Sequence, residues 1–184
     1  MPKKKPWWQK ISRFILHLIG WDLVEELPPS EKYILVGAHH TSNWDWVVGF
    51  FMMAGLGLKP RWIGKDALFR GIAGPIMRWL GGIAVVRGAR GNFVDQIADV
   101  YKQSKELVIA IAPEGTLKYV DHWKTGFYHI ANEARVSVAM AFLDYSKKIC
   151  GIGGHFFPSG DIKADMQILR EFYVDVVGKF PENQ

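Results

Sequence analysis

Between residues 33 and 134 the chain alternates short apolar runs with helix-patterned segments, and few folds accommodate that alternation. Residues 33–38, 61–64, 83–86 and 107–112 read as strands. Between them, residues 44–54, 68–80 and 93–103 read as helices, the last with Val94, Ile97, Ala98 and Tyr101 on one stripe. Strand–helix–strand units of this length imply parallel pairing, with helices on both faces of the sheet. Further on, residues 124–134 read as helix, residues 137–144 and 149–157 as a hairpin joined through Tyr145-Ser146-Lys147-Lys148, and a last helix starts near Asp161. The fold class expected is α/β, a mostly parallel central sheet flanked by helices. Its 184 residues, 49% of them hydrophobic, suffice for one such domain with a sizeable core.

The net charge of +5 is confined to one end. Lys3, Lys4, Lys5, Lys10 and Arg13 precede the first acid, Asp22, and the remaining 18 basic residues (23 less these five) balance the 18 acidic ones. A body without excess charge argues against a nucleic-acid-binding surface. On a helical wheel Ile11, Phe14, Ile15, Leu18 and Ile19 fall on one side, with Gln9, Lys10, Ser12, Arg13 and His17 on the other. Trp7, Trp8 and Trp21 flank this stretch, and seven of the eight tryptophans lie in the first 80 residues. Indole rings and basic charge beside an amphipathic helix suit an anionic lipid interface. Packing of the helix on the domain, behind a solvated lysine run, is the alternative. The apolar stretch 47–58 is too short to span a bilayer, and no cleavage signature follows the N-terminal run. The expected organisation is therefore a membrane-interface helix over residues 1–24 and one α/β domain over 25–184, bound peripherally at the cytoplasmic face of the inner membrane.

Three groups of residues capable of chemistry follow expected strands. The first is His39-His40-Thr41-Ser42-Asn43-Trp44-Asp45. On one continuous helix His40 and Asp45 would stand about 140° apart, so they meet only if the helix starts between them. The Thr-Ser-Asn run is a natural start, and it would let Asp45 fold back onto His40 from the first turn. A carboxylate partner fixes the imidazole tautomer and equips it as a base. Ser42-x-x-Asp45 also reads as a capping box, in which Asp45 serves only the helix. The second group is the stretch 81–87, ending in Arg87, a guanidinium suited to phosphate; the third is Pro113-Glu114-Gly115-Thr116. Lys65 follows another strand. All lie at strand C-terminal ends, the edge where open α/β sheets bind ligands. No ligand spacing supports zinc held by His39, His40 and any of His122, His129 or His155. Cys150 sits in an apolar strand pattern and reads as a buried structural residue.

His40-x4-Asp45, the glycine-to-arginine stretch 81–87 and Pro113-Glu114-Gly115-Thr116 together resemble, in order and spacing, the first three motifs of the glycerolipid acyltransferases. The bacterial 1-acylglycerol-3-phosphate, or lysophospholipid, acyltransferases are the most similar group. The resemblance covers residues 33–145, and Lys65-x-x-Leu68 and Lys124-Thr125-Gly126-Phe127 also fit it. It implies transfer of a fatty acyl group from acyl-CoA or acyl-carrier protein to the hydroxyl of a lysolipid, with no acyl-enzyme and no cofactor. In that reading His40 deprotonates the hydroxyl and Asp45 supports it. Arg87, Lys65 and the Glu114-Gly115-Thr116 turn hold the acceptor's polar head. Three positions depart from the pattern: His39 replaces a common Asn, Leu117 stands where many members have Arg, and Val136-Ser137-Val138 lacks the usual Pro. The partners implied are a lipid substrate, the membrane surface and acyl-carrier protein as an alternative donor. The same His–Asp site acting on water, as a thioesterase, and a non-catalytic lipid-binding module are the competing readings.

Overall fold

The computed structural model describes residues 6–85 and 93–184. The chain begins with helix α1 (Trp7–Leu18) and then forms strands β1 (Asp22–Glu26) and β2 (Lys32–Gly37), helix α2 (Trp44–Leu56) and strand β3 (Trp62–Lys65). A 3-10 turn (Asp66–Phe69), helix α3 (Ala73–Trp79), strand β4 (Gly82–Val85), helix α4 (Phe93–Gln103) and strand β5 (Leu107–Ile111) follow. Helix α5 (Gly126–Ala134), strands β6 (Ser137–Asp144) and β7 (Ile149–Phe156) and helix α6 (Ile162–Tyr173) complete the body.

The main sheet has the order β1-β7-β6-β2-β5. Strands β5, β2 and β6 run parallel, the β6–β7 hairpin reverses direction, and β1 runs parallel to β7. Strands β3 and β4 form a separate parallel pair, joined to the edge of β5 by a bridge at Arg61. This is the α/β architecture expected. Period-2 alternation in β2 divides the core into two layers. Ile34 and Val36 pack with Ile97, Ile109, Ile130 and Leu169 under α4, α5 and α6. Tyr33 and Leu35 face the other way, with Leu16, Val48, Met52 and Leu56 of α1 and α2.

Three features differ from the sequence expectation. Residues 68–80 do not form one helix: Gly71 adopts a left-handed φ of 62°, so the 3-10 turn ends before α3 starts. Strand β1, over Asp22–Glu26, is an element that the sequence pattern does not announce. Trp21 is buried at 3% exposure, stacked edge-on against Tyr145 at 5.0 Å, so it flanks no interface.

Helix α1 is docked through the side that carries Ser12, Arg13 and Leu16, while Lys10 and His17 stay exposed. Ser12 and Leu16 are buried, and Arg13 donates from Nε to the Gly55 carbonyl at 2.8 Å and pairs with Glu25 at 2.6 Å. Gly55 permits this approach, because a Cβ there would meet Arg13 and Leu23 at 3.2–3.3 Å. The apolar stripe is left outside: Trp7, Phe14 and Leu18 are 73%, 64% and 71% exposed, with Ile11 and Ile19 half exposed beside them. Among the described residues no helix is long and apolar enough to cross a membrane.

Candidate active site

Strand β2 delivers His39 and His40 into the loop before α2, and Asp45 lies in the first turn of that helix. Because the helix starts at Trp44, the Asp45 side chain folds back over the loop. His40 Nδ1 lies 2.9 Å from Asp45 Oδ2. A carboxylate only accepts, so Nδ1 carries the proton and Nε2 is the free acceptor. The backbone N–H groups of Thr41 and Ser42 also donate to Oδ2, each at 3.0 Å. Ser42 Oγ in turn accepts from Trp44 N at 3.1 Å. Asp45 thus completes half of a capping box and holds the histidine with the same oxygen.

The other oxygen, Oδ1, accepts from the Tyr145 hydroxyl at 2.7 Å. Tyr145 follows β6, at the same carboxyl edge as His40. Burial acts to raise the Asp45 carboxyl, but the hydrogen bonds from His40, Tyr145 and Ser42 outweigh it and hold the group below the ordinary carboxylate range. The Asp45 side chain is 5% exposed and that of His40 22%, so the charge is sheltered while the imidazole edge meets solvent.

A cleft of about 240 Å³ opens beside His40, lined by Asn43, Trp46, Gly115, Thr116 and Leu117 among others. Leu117 therefore contributes an apolar wall. Glu114 is 7% exposed and turned toward the loop: Oε2 lies 3.4 Å from His40 N, and Oε1 lies 3.6 Å from His39 Nδ1. Of the Glu114-Gly115-Thr116 turn, the last two members face the cleft beside His40. Gly115 has a φ of 66°, and Lys124 Nζ occupies the space a side chain would need there. Lys65 ends β3, exposed, and does not line this cleft. Arg87 lies outside the described residues. Cys150 is fully buried in β7, where burial, with Asp22 nearby, pushes its thiol up to about 12. It is remote in character from a nucleophile.

Sequence reasoning missed Tyr145 and Trp46. Tyr145 stands 100 residues from its partner, and only the parallel pairing of β2 with β6 brings the two strand ends together. Trp46, whose ring lies 6.0 Å from that of His40, sits one position beyond the motif's aspartate and reads locally as one more helix residue. The C-terminal segment was also unforeseen: Phe180 N donates to Thr41 Oγ1 at 3.2 Å, bracing the His40 loop from outside.

A histidine oriented by a buried carboxylate lies at the carboxyl edge of an α/β sheet and beside an open cleft, a geometry suited to proton transfer. The sequence model of the Acyltransferase family matches residues 22–142, and the chain belongs to that family of acyl-transferring enzymes. Among solved structures it is similar to the crystal structure of the 1-acyl-sn-glycerophosphate (LPA) acyltransferase PlsC from Thermotoga maritima. The likeness covers 89% of this chain and 74% of that one, with a TM-score of 0.60 and 16% identity, and it is a likeness of fold. No curated protein matches the chain.

Proposed function

We propose that the protein transfers a fatty acyl group from an acyl thioester, carried by CoA or acyl-carrier protein, to the free hydroxyl of lysophosphatidic acid or a related lysolipid. The observation that carries this reading is the 2.9 Å contact from His40 Nδ1 to a buried, anionic Asp45, which leaves Nε2 available at the cleft. In the proposed reaction Nε2 takes the hydroxyl proton as the oxygen attacks the thioester carbonyl. The tetrahedral intermediate then collapses, the C–S bond breaks, and the departing thiolate recovers the proton from the imidazolium. The products are an ester and a free thiol. A thioester is already activated, so no protein nucleophile is required. Gly115 and Thr116 border the acceptor, Glu114 braces the His40 loop, and the family resemblance assigns Arg87 to the acceptor's polar head, with Lys65 outside the cleft. The reaction needs no cofactor.

The enzyme would work as a peripheral protein on an anionic, cytoplasmic-facing lipid surface. This is supported by the outward apolar stripe of α1 and by Trp44, Trp46, Val47 and Phe50 exposed on α2. Purified protein given acyl-CoA and lysophosphatidic acid should form phosphatidic acid, and His40→Ala should lower the rate by about 10²–10⁴-fold without loss of fold, by circular dichroism. Unchanged turnover in His40→Ala would refute the base assignment. Release of free fatty acid at a rate indifferent to acceptor would replace the transferase with a thioesterase.

A further inference from the structure

We infer that Tyr145 is a positioning residue for the His40–Asp45 pair, acting through the second oxygen of the aspartate. The inference rests on the proposed role of His40 as base. Asp45 is buried, and among the described residues the Tyr145 hydroxyl is the hydrogen-bond partner seen at Oδ1, while Oδ2 receives His40, Thr41 and Ser42. The torsion that turns a carboxylate about its axis is broad and roughly two-fold, and the three donors on Oδ2 hold it from one side only. A fourth donor, opposite, fixes it and keeps Oδ2 on the imidazole.

Tyr145 is itself held. Its ring stands edge-on to Trp21 at 5.0 Å and 88°, and its backbone N–H donates to the Val177 carbonyl at 2.9 Å. Trp21 lies under the Lys148 ammonium, 5.2 Å from the ring, and its backbone N–H donates to the Leu16 carbonyl at the end of α1. The hydroxyl is thus aimed by elements from both ends of the chain. Burial first, and then Asp45, holds the phenol well above its ordinary value, so it stays a donor throughout the working range.

A donor on Oδ1 also disperses the carboxylate charge. Without it the full charge faces the imidazole, which favours the protonated ring. Tyr145→Phe removes one oxygen and keeps the ring packing against Trp21. Among the described residues, titratable groups around the pair include Glu114 and His39 in the loops, Cys150 near the phenol and Lys179 over Trp44, and the substitution removes none of them.

The test is the pH dependence of kcat and KM in Tyr145→Phe, alongside NMR titration of the His40 ring in the intact protein. The expected result is a kcat lower by at least about tenfold, part of the 10²–10⁴ a general base supplies. Both KM values should stay within about twofold of wild type, the acid limb should move to higher pH, and the His40 signal should move in the same sense. A purely structural tyrosine would lower the melting temperature and leave the limb and the His40 titration where they were, and that result overturns the inference. If His40→Ala proves active while Tyr145→Phe still moves the His40 titration, the base assignment falls and the positioning of the pair by Tyr145 stands.

Discussion

Asp45 meets two demands that proteins usually assign to different residues. Its Oδ2 satisfies two backbone N–H groups at the start of α2 and orients His40, so its removal costs folding as well as chemistry. Asparagine keeps one acceptor and turns the other into a donor, leaving either the loop N–H groups or the Tyr145 hydroxyl proton without an acceptor. Buried donors left unpaired cost about 1–3 kcal/mol each, so Asp45→Asn should lose about 2–4 kcal/mol in urea melts at pH 7 together with most acyl transfer. The pH dependence has a fixed sign. A carboxyl whose folded value lies below its unfolded one contributes stability that is complete above the ordinary carboxylate range and is lost as pH falls through the folded value. The gap between wild type and Asp45→Asn should therefore be wider at pH 7 than at pH 3. An equal gap at both would show that the charge of Asp45 is not what holds the loop. Asp144, held low despite burial by the Ser146 hydroxyl and by the backbone N–H and ammonium of Lys147, gives both proteins an acid limb of the same sign, which cancels in the difference.

Among the elements, those with a strong local period were legible and those defined by a neighbour were not. β2 and β5 read as strands because apolar residues fill both faces, and α4 because Ile97, Ala98 and Tyr101 share a stripe that the structure buries. β1, Asp-Leu-Val-Glu-Glu, is an edge strand pairing only with β7, and nothing in its five residues specifies that partner. His40 and Asp45 were legible because capping chemistry is local. Tyr145 was not, because its role depends on a sheet register. For α1 the period announced two faces without saying which would dock. Arg13, Ser12 and Gly55 settle that, and the exposed stripe follows. Ile11, Phe14 and Leu18 changed together to Ser should leave the melting temperature within about 2 °C of wild type, since none is buried. Flotation with anionic vesicles should be largely lost, each fully buried side chain of this size being worth about 1.5–3 kcal/mol and all three together more than about a hundredfold in partitioning. Undiminished flotation would remove α1 from the proposed lipid contact.

Across the whole molecule, the reversal at the β6–β7 hairpin decides where the N-terminal helix meets the sheet. Because β1 runs with β7, Trp21 and the end of α1 arrive at the edge where β6 releases Tyr145. The helix packed along α1 is α2, which opens at the His40–Asp45 loop and exposes Trp44, Trp46 and Phe50. The apolar exterior is thus built on this pair of helices, and one of them, α2, also borders the cleft through Trp46, so a lipid surface against the helices would adjoin the cleft. An enzyme seated on lipid as proposed would draw its acceptor from a two-dimensional solution. Its velocity should then follow the mole fraction of lysolipid in the vesicle: adding inert phosphatidylglycerol at constant bulk lysolipid should slow the reaction once the protein is fully bound. A rate set by bulk concentration alone would mean that the acceptor leaves the bilayer before it reaches His40. On the arrangement described, the protein should behave as a catalyst whose effective solvent is the membrane plane, indifferent to how much water surrounds it.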